Sequence, residues 1–68
     1  MLLRSYEIIV RSKSEEQPRR LFFDAEDNIL AIAGAERVLR GVARPYRAYL
    51  FASVDELPIA TIVKGTRR

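Results

Sequence analysis

Cysteine, histidine and tryptophan are all absent from this chain of 68 residues. Without cysteine no disulfide can close a loop, and without cysteine or histidine the usual zinc ligand sets are excluded. The acidic residues form no cation-binding loop pattern, so no metal is expected. The lack of histidine also removes the common general base for a serine nucleophile. Ser5, Ser12, Ser14 and Ser53 are left with Lys13 and Lys64, one in a polar loop and one near the end of the chain, neither placed for desolvation. Glycine is scarce, and Gly34, Gly41 and Gly65 match neither the dinucleotide nor the P-loop spacing, so no cofactor is expected. Long apolar runs are missing as well. The segment Met1 to Tyr6 does not read as a secretory signal and nothing approaches a membrane span, so a cytoplasmic protein without a membrane partner is expected.

The carboxylates that sit together, Glu15-Glu16, Glu26-Asp27 and Asp55-Glu56, are sequence neighbours on loops or at a helix start. An acid/base pair needs two carboxylates held in different environments across a cleft, and these read instead as solvated or capping groups. A non-enzymatic protein is expected.

Net charge is +3 with a pI near 9.8, and ten of the twelve basic residues are arginine. Arg67 and Arg68 lie in a short tail behind Gly65, and residues 1–66 carry ten basic and nine acidic groups. The chain therefore reads as one domain, residues 1–66, followed by a basic tail at 67–68.

What the chain does contain is alternation. From Leu2 to Arg11, Tyr6, Ile8 and Val10 fall on one side and Ser5, Glu7, Ile9 and Arg11 on the other, the pattern of a half-buried strand. Ser12 to Pro18 is polar and reads as a connection. Arg19 to Phe23 is a second strand, with Leu21 and Phe23 opposed to Arg20 and Phe22. A helix is expected over Ala25–Arg40, capped by Asp24 and stopped at Gly41. Its apolar stripe is Ala31, Ile32, Ala35, Val38, Leu39 and Val42, and the small residues Ala31, Gly34 and Ala35 suit close packing on a sheet. Glu36 and Arg40 stand in the favourable i,i+4 order. Tyr46–Ser53 and Ile59–Lys64 complete the set of strands, joined by Val54–Pro58.

The order strand, strand, helix, strand, strand implies an α+β fold: a ββαββ antiparallel sheet with one helix on one face. A chain this short buries only about 60% of its unfolded surface, and oligomerisation is the remaining way to supplement its core. One helix covers one sheet face, yet Ile9, Phe22, Tyr49 and Phe51 are expected on the other, and Ile29 and Leu30 fall outside the helix stripe. These six residues are the candidate partner interface. The expected function is a protein-interaction or assembly module acting as a homodimer, with Ser12–Pro18 and Val54–Pro58 as connections through which an arm can swap between subunits. The alternative is nucleic-acid binding through Arg20, Arg37, Arg40, Arg44, Arg47 and Tyr49, since arginines interleaved with aromatics on a strand can hold phosphates and stack bases.

Overall fold

The computed structural model describes residues 2–13, 15–52 and 56–65. Four strands and one helix follow in the order β1 (Arg4–Arg11), β2 (Arg19–Ala25), α1 (Asn28–Leu39), β3 (Tyr46–Ala52) and β4 (Ala60–Lys64). The strands form one antiparallel sheet in the order β2-β1-β3-β4. The chain is an α+β fold of the expected type. Period-two alternation survives intact: Tyr6, Ile8 and Val10 of β1 and Ala48 and Leu50 of β3 are buried under α1, which contributes Ala31, Ala35 and Leu39.

This core is thin, because three of the eight buried residues among those described are alanine. Small side chains let the helix lie close to the sheet. At Gly34 an added Cβ would stand 3.3 Å from Cε2 of Phe23, so the helix backbone rests almost directly on that ring. Phe23 in turn stacks on Tyr6, with ring centroids 5.8 Å apart and planes inclined by 26°. The Tyr6 hydroxyl then donates to Asn28 Oδ1 at 2.8 Å, which ties the centre of the sheet to the first turn of α1. The small-residue stripe is thus used in helix-on-sheet packing.

The helix start differs from the sequence expectation. Asp24 does not cap α1. It lies in β2 opposite Ser5, and its carboxylate accepts from the Ser5 hydroxyl at 3.2 Å. Two further residues of β2 pair with Arg4 and Ser5, so the strand runs on to Ala25. Asp27 is the N-cap: its backbone is extended and its Oδ1 accepts from the Leu30 amide at 2.8 Å. The ending differs too. Arg40 and Gly41 close the last turn with amide bonds to Glu36 and Val38, and Gly41 does not adopt a left-handed conformation. Val38, assigned to the buried stripe by its spacing, is 47% exposed at the stripe's edge. Glu36 and Arg40 do not form an ion pair.

Leu2 and Leu3 lie outside β1, and Ile59 precedes β4 while its amide still donates to the Leu50 carbonyl at 2.6 Å. Ser53, Val54, Asp55 and the tail residues Arg67 and Arg68 lie outside the described residues. Among the described residues, no helix is long and apolar enough to cross a membrane, and no group of three or more acidic residues is placed to hold a metal ion.

Candidate binding surface

The sheet has one covered face and one open face. Strand parity and register arrange the open face in rows. Asp24 and Ser5 form the first, and Phe22, Glu7 and Phe51 the second. Arg20, Ile9, Tyr49 and Thr61 form the third, and Arg11, Arg47 and Val63 the fourth. Ile9, Tyr49 and Phe51 are half-buried by their neighbours, whereas Phe22 on the edge strand β2 is 73% exposed and Val63 on β4 is 59% exposed.

Glu7 stands between the two phenylalanines. Its side chain is only 17% exposed, and Oε2 lies 2.6 Å from Arg20 Nε. The close approach is an ion pair without an aligned N–H, so Oε2 has a charge partner but no completed hydrogen bond. The Arg20 side chain is 62% exposed, so the pair joins a solvated arginine to a largely buried carboxylate and holds the Arg20 side chain near Glu7.

The six residues expected at an interface are therefore not all together. Ile9, Phe22, Tyr49 and Phe51 share the open face. Ile29 and Leu30 are exposed on α1, on the far side of the sheet. A single flat contact cannot contain both groups.

The residues of the nucleic-acid alternative divide as well. Arg20, Arg47 and Tyr49 are on the open face, Arg37 and Arg40 on the helix, and Arg44 in the connection between α1 and β3. The topology reveals a different basic cluster. The end of the sheet at which β1 and β4 finish and β3 begins gathers Arg11, Lys13, Arg44, Arg47 and Lys64 around a shallow depression of about 1020 Å³, lined also by Pro45, Tyr46 and Tyr49, with no acidic residue among the described residues that line it. Arg11, Lys13 and Lys64 were not singled out by sequence reasoning. The alternation that put Arg11 beside Ile9 was the available signal, but its partner Arg47 becomes visible only through the β1–β3 register.

The opposite end of the sheet carries Asp24, Glu26, Asp27 and Glu56, all exposed, with Arg4 as the basic residue among them. Glu15, Glu16 and Glu36 also lie toward the basic end, where basic residues outnumber them, so the separation of charge from end to end is partial. The helix runs the same way, with Asp27 at its positive N-terminus and Arg37 in its last turn, so part of this separation serves the helix dipole.

The chain matches no protein-family model, no curated protein and no solved structure. Its function has to be argued from this geometry.

Proposed function

We propose that this protein is a non-enzymatic assembly module that works as a homodimer, with the open sheet faces of two copies packed against each other. The observation that carries the reading is the contiguity of Phe22, Phe51, Ile9 and Tyr49 in neighbouring rows on the face that α1 leaves bare. A thin core under one helix gives the monomer little apolar burial, and a second sheet supplies the missing layer.

The occupant proposed is a second copy, because one sheet face can stack on another. Two sheets stack about 10 Å apart with interdigitating side chains, and a two-fold contact lays the same patch on itself. Four strands of about six residues make a face of roughly 20 by 20 Å, on the order of 400 Å² before side-chain relief is counted. That is about half of the roughly 800 Å² per partner in a standard interface, which places the pairing at the weaker end of specific association. The product is a four-layer particle with the two sheets inside and the two helices outside. Ile29 and Leu30 stay outside this contact.

The solution mass by light scattering, followed over a dilution series through the micromolar range with circular dichroism in parallel, tests this reading. A dimer that dissociates on dilution to a folded but less stable monomer is the expected result. A folded monomer at every concentration overturns it.

A further inference from the structure

The basic end of the sheet does something the proposed dimer contact does not need. Arg11 and Arg47 are directly opposite each other on β1 and β3. Like charges in that relation are destabilising. Among the described residues neither arginine has an acidic partner to relieve it. The one ion pair in the adjoining hairpin, Arg19 with Glu15 at 3.0 Å, takes up a different arginine.

The wall beside them is built rather than loose. Lys64 Nζ donates to the carbonyls of Val42 at 2.9 Å and Ala43 at 3.4 Å, which pins the connection carrying Arg44 and Pro45 onto the end of β4. Lys64 therefore spends two of its three donors on holding the depression in shape. Arg11 and Arg47 project on the open side, Lys13 lies on the adjoining turn, and the Tyr49 ring follows Arg47 by one row. A depression with guanidinium groups along one wall and an aromatic ring beside them suits a flexible polyanion whose charges are spaced along a chain and whose repeating units have flat faces.

We infer that this basic end binds single-stranded nucleic acid, with Arg11 and Arg47 clamping backbone phosphates and Tyr49 stacking an unpaired base. A bound phosphate bridges the two guanidiniums and turns their repulsion into shared attraction. Single strands fit better than duplexes, because only unpaired bases offer a free face to the tyrosine. Ser12, Lys13, Arg44, Pro45 and Gly65 line the depression past the ends of the strands, whereas Arg11, Arg47 and Tyr49 lie on the open face. Nucleic acid and a second sheet therefore compete for Tyr49, and the inference concerns the unpaired chain and does not depend on the dimer.

Fluorescence anisotropy with a labelled oligothymidylate, titrated with salt, tests it. The expected result is binding at low salt that weakens as salt rises, with single strand preferred to a duplex of the same length. Arg11→Ala/Arg47→Ala should lower the slope of log affinity against log salt by about 0.7, the increment for the one phosphate that the two guanidiniums share. Tyr49→Leu keeps apolar bulk in the sheet and removes the aromatic face, and should weaken binding roughly 5- to 150-fold. Arg4→Ala/Arg37→Ala removes the same charge elsewhere and should leave the slope unchanged. Circular dichroism of each variant verifies that the fold is kept. Absence of binding at low salt overturns the inference. So does equal weakening by the control pair, an unchanged affinity in Tyr49→Leu, or competition by inorganic polyphosphate as effective as competition by the unlabelled oligonucleotide.

Discussion

Phe22→Asp should convert the proposed dimer to a monomer without unfolding the chain. Phe22 is on the edge strand β2 and is 73% exposed, so the folded monomer loses almost nothing when the ring is replaced; exposed substitutions usually change stability by within about 0.5 kcal/mol. Phe22 stands next to Phe51 across Glu7, and in the proposed pairing of sheets its ring would be covered. Truncating an aromatic anchor of an interface costs about 2 kcal/mol or more, and the aspartate adds a desolvated charge beside Glu7. The dissociation constant should therefore rise by at least about 30-fold. Light scattering at a concentration where the unaltered protein is paired reads the change. Ile29→Asp is the matched comparison: it is 77% exposed, but on the helix, and should leave the mass unaltered. If Ile29→Asp dissociates the protein and Phe22→Asp does not, the contact is on the helix side.

Ile8→Ala has a different and larger effect on folding itself. Ile8 is fully buried at the centre of the sheet, paired with Leu21 on one side and Leu50 on the other, beneath α1. Removing its outer atoms costs about 2–5 kcal/mol, transfer and cavity together. A domain of this length has a total stability of roughly 3–10 kcal/mol, so a large share of it disappears. Thermal unfolding should shift down by about 10 °C or more, since each kcal/mol moves a domain of this size by roughly 4–8 °C. Ile9→Ala makes the comparison sharper, because the two isoleucines are adjacent and point to opposite faces. The Ile8 loss is the same at every protein concentration. The Ile9 loss arises in the sheet–sheet contact, so it should be large when the protein is concentrated and shrink on dilution. Equal, concentration-independent losses at both positions would contradict the two-faced reading of β1.

The contrast between Ile8 and Ile9 was legible in the sequence, because period-two alternation assigns neighbouring residues to opposite faces whatever the sheet order is. The same rule separated Phe22 from Leu21 and Phe23. The helix start was not legible. Asp24 and Asp27 are the same residue type three positions apart, and the sequence pattern favours Asp24 as the cap; the cap moves to Asp27 because Arg4 and Ser5 extend the pairing of β2 by two residues. Apolar character also could not say that Ile29 and Leu30 belong to a different side of the molecule from Phe51. That follows from where α1 lies on the sheet. The basic end was hidden most completely. Arg11, Lys13, Arg44, Arg47 and Lys64 are spread over most of the chain, and nearly equal numbers of acidic residues cancel them in the net charge. Only the antiparallel order β2-β1-β3-β4 collects them at one end and sends Asp24, Glu26, Asp27 and Glu56 to the other.

The most direct test of the central claim is an isotope-filtered nuclear Overhauser experiment on a mixture of labelled and unlabelled protein, which reports only contacts between different copies. Contacts from the Phe22 and Phe51 rings and the Ile9 methyls of one copy to the open face of another are the predicted result. Intermolecular contacts confined to Ile29 and Leu30, or none at concentrations where the mass is that of a dimer, would contradict the account.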